Sequence, residues 1–274
     1  MRPWKAQVQT GGCSMADPMK PANDGGSAPA LGVKPIFYQD PRPLDPSNFG
    51  KHGLKRSRTC SFAAKDNTIP ISLAEFQHAQ KCYPIIFVGD PPQPAIVVGF
   101  AQGENLFVSP EGTWLDDFYV PNYVRRYPFV LAEVPGDERL FLCADAKSDM
   151  ITDKNPDAPF FVDGKPTEIV SQALEFCRRY QEEIVLTRAF SADLKKHNLL
   201  TEIELQFTRP DGTQQAAGKV VSIDSAAFEK LPDDVFLNLR KGGVLPCFYF
   251  QQVSLANWSR LMLRREKLFA AKQT

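Results

Sequence analysis

Glu202-Ile203-Glu204-Leu205-Gln206-Phe207 alternates strictly between polar and apolar side chains. Successive residues of a strand face opposite sides, so Ile203, Leu205 and Phe207 share one face and the polar residues share the other. Asp211-Gly212 carries turn chemistry, and Gly218 to Ile223 reads as the return strand. Together they predict an antiparallel ribbon with one wet face. Upstream the period changes. Ile169, Ala173, Phe176, Cys177, Tyr180 and Ile184 recur at three- and four-residue spacings, which predicts a long helix from Thr167 to about Asn198. A break is expected near Val185 to Thr187, where β-branched residues cluster. A long helix followed by a hairpin, rather than one strand per helix, points to an α+β fold.

The rest of the chain agrees with that class. Ser72 with Glu75 three residues on is a capping box, opening a helix that runs to about Lys81. Tyr83 to Val88, Ala95 to Phe100 and Asn105 to Val108 read as three strands of an antiparallel meander, separated by Gly89-Asp90-Pro91-Pro92 and by Gly103. Phe129 to Val134 and Arg139 to Cys143 form a second hairpin. Asp163-Gly164 is a turn. Ser225 caps a short helix, and Asp233 to Lys241 is another, stopped by Gly242-Gly243. Val244 to Val253 reads as an apolar strand. Trp258 to Ala271 is a C-terminal helix, with Arg260, Arg264, Arg265 and Lys267 in turns where cations suit the helix dipole. The expected fold is therefore α+β, mostly antiparallel sheet, with one long central helix and a C-terminal helix.

Residues 1–45 are rich in Pro, Gly, Ala, Ser and Asp and bury too little apolar surface to offset their ordering entropy. They read as a disordered arm, pinned to the body at Ile36-Phe37-Tyr38. Residues 46–274 read as a single domain. Lys plus Arg equals Asp plus Glu, at 32 each, so the net charge is zero and no whole-chain grip on nucleic acid is expected. The basic stretch Lys51 to Arg58 has no interleaved aromatics to stack bases and reads as a solvated edge. No apolar run reaches the length of a membrane span, and the first residues lack the apolar segment of a signal peptide. Cytoplasmic location is the resulting expectation. The six cysteines show no metal-pair spacing, and Cys143, Cys177 and Cys247 sit in apolar runs, so they read as buried free thiols.

Motifs for known chemistries are sparse. His52, His78 and His197 form no metal-ligand pair, and there is no nucleophile elbow, Walker loop or dinucleotide fingerprint. No catalytic residue, metal or cofactor is assigned. The densest chemical signal is the segment from Trp114 to Phe129, which combines Trp114, Tyr119, Tyr123 and Tyr127 with Arg125 and Arg126. Aromatics and Arg dominate binding hot spots, and Arg can hold a carboxylate or phosphate in two bonds while stacking on a ring. Glu104 and Asn105 supply further polar contacts. Two readings stand side by side: a site for a protein, peptide or anionic ligand, and an irregular segment held by its own packing.

The order of these signals resembles the bacterial SapC family. The likeness runs over about residues 46–265 and is carried by Tyr83-Pro84-Ile85-Ile86-Phe87, Gly103-Glu104-Asn105-Leu106-Phe107-Val108, Gly112-Thr113-Trp114, Asp163-Gly164-Lys165-Pro166, Leu199-Leu200 and Ser254-Leu255-Ala256-Asn257-Trp258. Its most specific part is Tyr119-Val120-Pro121-Asn122-Tyr123-Val124-Arg125-Arg126-Tyr127-Pro128-Phe129. The resemblance implies an accessory protein with no established catalytic mechanism, and the aromatic and arginine segment adds the expectation that it contacts a protein, peptide or anionic ligand. The family name also brings a surface-layer role, and an enzyme with a non-local site on the same segment is the other alternative.

Overall fold

A computed structural model describes residues 35–56, 59–134, 137–208 and 214–271. The ribbon around Ile203 forms, with Leu200–Thr208 pairing antiparallel to Gln214–Ile223. Leu205 is buried while Glu202 and Glu204 are exposed, as the alternation requires. Leu205 pairs with Gly218 and Gln206 with Ala216, so Ala217 is the extra residue of a bulge. Gly218, at φ 113°, takes a backbone angle that a side chain would strain. The expected turn at Asp211-Gly212 lies outside the described residues.

This ribbon borders a five-stranded antiparallel sheet in the order Leu200–Thr208, Gln214–Ile223, Ile85–Val88, Gln93–Val97, Thr68–Pro70. Thr68–Pro70 occupies the edge that Asn105 to Val108 was expected to fill. Residues 105–108 form no strand, and Val108 makes only an isolated bridge to Trp114. Phe87 and Ile223 of this sheet are buried with Phe190 and Leu194 of the long helix and with Phe228, Leu239 and Phe248.

Phe248 marks a second departure. Leu245–Ser254 is a helix, not a strand. Phe248, Gln251 and Ser254 are buried while Tyr249 and Val253 are exposed, which is a helical period. Gln251 Nε2 donates to the Ile85 carbonyl and to Ser222 Oγ, both at 2.9 Å, and the Ile85 N–H donates to Ser254 Oγ at 2.9 Å. These bonds reward a helix lying on the sheet, and a short apolar run does not disclose its own period.

The long helix, Glu168–Lys196, runs unbroken through Val185 to Thr187. Thr187 is fully buried there; its hydroxyl donates to the Glu183 carbonyl at 2.7 Å and accepts the Leu73 N–H at 3.0 Å. Those bonds outweigh the few tenths of a kcal/mol that β-branched residues cost a helix. Asn198, at φ 52°, ends the helix in a left-handed cap, with the Leu199 N–H bonded back to the Leu194 carbonyl.

The described chain groups into two compact units, one of residues 63–124 and 183–271, the other of residues 35–62 and 125–182. The second unit has a sheet in the order Pro41–Pro43, Asp137–Asp145, Phe129–Val134. Val170, Ala173 and Cys177 pack against its core beside Phe49, Phe129 and Phe160. Tyr38 donates its hydroxyl to the Phe129 carbonyl at 2.6 Å, tying the first described residues to this sheet. Asp45 caps the helix Pro46–Phe49 by accepting the Asn48 N–H. Residues 1–34 of the expected arm lie outside the described residues. Asp163 and Gly164, both at positive φ, turn the chain between Phe161–Val162 and Lys165–Pro166.

Candidate functional site

Residues 99–121 of the first unit form an irregular loop, and most of the sequence candidates there hold it in place. Gly99 is obligatory: a Cβ would lie 2.1 Å from the Glu104 carbonyl oxygen. Glu104 accepts the Phe100 N–H at 2.7 Å and pairs with Arg265 at 3.0 Å. Asn105 donates to the Ala63 carbonyl and accepts the Phe107 N–H, both at 2.9 Å. Trp114, buried, donates its indole N–H to the Tyr83 hydroxyl at 3.1 Å. That hydroxyl donates in turn to the Tyr119 carbonyl at 2.6 Å. Burial pushes the Tyr83 pKa up, so the phenol stays a neutral donor. Tyr119 stacks on His78, with ring centroids 5.4 Å apart. Tyr123 is buried on the short helix Asn122–Arg125.

The loop is also latched from below by Glu75. This carboxyl is 1% exposed and accepts from Ser72 N at 2.8 Å, Asn122 N at 2.7 Å and the Tyr119 hydroxyl at 3.1 Å. Ser72 Oγ lies 3.0 Å from Glu75 Oε2 and 2.6 Å from Glu183 Oε2. A serine hydroxyl has a single hydrogen. That hydrogen is shared between the carboxyls of Glu75 and Glu183. Burial raises the Glu75 pKa, against the lowering pull of its bonds from Ser72, Asn122 and Tyr119.

A groove of about 440 Å³ lies between this loop and the C-terminal helix, Asn257–Ala271. The loop contributes Phe107 and Phe118, and Cys82 lines the same space. The helix contributes Leu261, Leu263 and Leu268, together with Arg260, Arg264 and Lys267. Arg264 is fixed on the apolar wall. Its Nε donates to the Leu106 carbonyl at 2.6 Å, and its guanidinium lies 5.2 Å from the Phe107 ring and 5.3 Å from the Phe118 ring. Partial burial lowers its pKa from the ordinary arginine value, although it still carries its charge at neutral pH. Arg260, Arg264 and Lys267 have no carboxylate partner among the described residues, whereas the neighbouring Arg265 is neutralised by Glu104. Among the described residues, no acidic side chain lines the groove.

Arg125, Arg126 and Tyr127 belong to the second unit. Arg125 is exposed, 5.5 Å from the Phe176 ring. Arg126 lies between two tyrosine rings, 5.7 Å from Tyr38 and 4.7 Å from Tyr180. Tyr127 is buried, stacked on Phe62 at 3.9 Å, and its hydroxyl donates to Asp145 at 3.2 Å. Asp145 is fully buried and also accepts the N–H groups of Gln39, Asp40 and Lys147. The aromatics of the first unit thus meet cations that lie some 140 positions downstream. In the sequence, Arg260, Arg264 and Lys267 carry a readable signal, a basic stripe at helical spacing, but helix-dipole compensation accounts for it equally well.

Burial raises the thiol pKa of Cys143, Cys177 and Cys247 to about 12. Cys143 and Cys177 are buried and Cys247 is half-buried. Among the described residues, no group of three or more His, Cys, Asp and Glu side chains is placed to hold a metal ion. No described helix is long and apolar enough to cross a membrane.

No curated protein and no solved structure matches the chain. The SapC family profile matches residues 44–261, which include the latch, the loop and the first turn of the C-terminal helix. With most of its length inside that match, the chain belongs to the SapC family.

Proposed function

We propose that this chain is an accessory binding protein and that the groove along the C-terminal helix is its recognition site. The groove takes a ligand with negative charge on one side and an apolar body on the other. A single observation carries this reading: three cations without a carboxylate partner among the described residues border an aromatic and leucine-lined wall. Exposed apolar surface rimmed by charged side chains is a mark of binding sites. A volume of about 440 Å³ also falls within the range of sites for small organic ligands.

Glu104, Asn105, Trp114, Tyr119 and Tyr123 are then the residues that shape the loop side of the site. Arg125, exposed beside Phe176, is a candidate for a separate contact of the same chemistry. Arg126 and Tyr127 are assigned to packing in the second unit.

A matched pair of probes tests the reading. Laurate and dodecyltrimethylammonium carry single alkyl tails of nearly equal length and differ in the sign of the head group. Titration calorimetry is expected to detect laurate and not the cation, and Arg260→Glu combined with Lys267→Glu should abolish the laurate signal. Equal binding of both probes, or laurate binding unchanged by the double substitution, would refute a cationic groove.

A further inference from the structure

We infer that the occupant of this groove is an acidic peptide segment carrying aromatic or aliphatic anchors, presented by a partner protein; the inference rests on the groove being a binding site. The spacing of the cations is the first reason. Arg260, Arg264 and Lys267 follow one another on a helix that rises about 1.5 Å per residue, which sets them about 6 Å and then about 4.5 Å apart along the axis. One carboxylate head group satisfies one arginine, in a bidentate bond at most. Three cations spread over about 10 Å call for several anionic groups along a line. On an extended peptide, side chains two positions apart point the same way and stand about 6.6 Å apart, close to the interval between Arg260 and Arg264.

The shape of the apolar surface is the second reason. Leu263 is 56% exposed and Leu268 is 38% exposed, so the leucine face opens to solvent instead of enclosing a chain. Phe269, one residue beyond Leu268, is also 50% exposed. A single-chain lipid is best served by a cavity that buries most of its surface, so laurate is expected to bind here only weakly, as a probe of charge. A peptide needs the opposite, an open strip with pockets for alternate side chains and charges for the rest. The pocket between Phe107 and Phe118 on one side and Leu261 on the other takes an apolar anchor, and Arg264, braced on both rings, stands beside it. Electrostatic complementarity of this kind sets encounter rate and selectivity more than total affinity.

Selection of short random peptides displayed on phage against the full chain tests this, with the Arg260→Glu/Lys267→Glu chain used for counter-selection. Both substituted side chains are solvent-exposed, and circular dichroism confirms that the variant is folded. The expected result is enrichment of peptides in which Asp or Glu recurs at two-residue intervals around Phe, Trp or Leu. A synthetic winner should bind at least tenfold more weakly when its acids are replaced by Gln, and should weaken as salt is raised. Enrichment of peptides without acids would overturn the inference. Laurate binding without any enriched peptide would also overturn it while leaving the groove as a lipid site. Failure of both laurate and peptides would remove the binding reading itself.

Discussion

Glu75→Ala is the substitution whose outcome follows most directly from the geometry. The wild-type carboxyl accepts two backbone N–H groups, from Ser72 and Asn122, and the Tyr119 hydroxyl, in a site that is 1% exposed. The hydroxyl can turn toward another partner, but the two amides cannot. A buried donor left without an acceptor costs about 1–3 kcal/mol, so two stranded amides bring a loss of about 2–6 kcal/mol. Removing a buried ionisable group returns part of that, which leaves an expected net loss of about 2–4 kcal/mol. The loss has a pH signature. The folded pKa of Glu75 is raised above 4.5, so its contribution to stability is fully present below that value and falls as pH rises through the folded pKa. The variant lacks this fall. Urea unfolding of both proteins should therefore show a larger stability difference at about pH 5 than at about pH 8. A difference that grows with pH would mean that the bonds from Ser72, Asn122 and Tyr119 outweigh burial and hold the folded pKa below 4.5.

Gly99→Ala places a Cβ 2.1 Å from the Glu104 carbonyl, forcing a backbone shift; a loss of about 1–3 kcal/mol in chemical unfolding is expected. Unchanged stability would show that the loop yields freely. Asp145→Asn leaves one acceptor oxygen for donors that now share two, and about 2–4 kcal/mol should be lost in the same assay, with the segment around Gln39 and Asp40 becoming protease-sensitive. A variant as stable and protease-resistant as the parent would refute that role. Iodoacetamide at mildly alkaline pH should label Cys60 and Cys82, which are half-buried, before Cys143 and Cys177, read by peptide mass mapping. Early labelling of Cys143 or Cys177 would contradict the buried placement.

Much of this protein is written locally and can be read without its structure. The alternation at Ile203 to Phe207, the three- and four-residue recurrence from Ile169 to Ile184, the Ser72–Glu75 spacing and the Asp163-Gly164 pair each depend on neighbours close in the chain. Where the reading departs from the structure, the deciding contact is distant. Leu245–Ser254 became a helix because Gln251 and Ser254 meet the backbone of Ile85, more than 160 positions away. Residues 105–108 form no strand because Thr68–Pro70 occupies the neighbouring edge. The long helix runs through Thr187 because that side chain is tied to Leu73. The same division holds for the candidate site. The sequence alone marked the stretch from Glu104 to Phe129, with Arg125 and Arg126 as its cations. The cations facing Phe107 and Phe118 are those of Arg260, Arg264 and Lys267, and only folding brings that helix to the loop. Periodicity reports which face of an element is apolar, whereas the element it will meet is chosen by packing and hydrogen bonding across the whole chain.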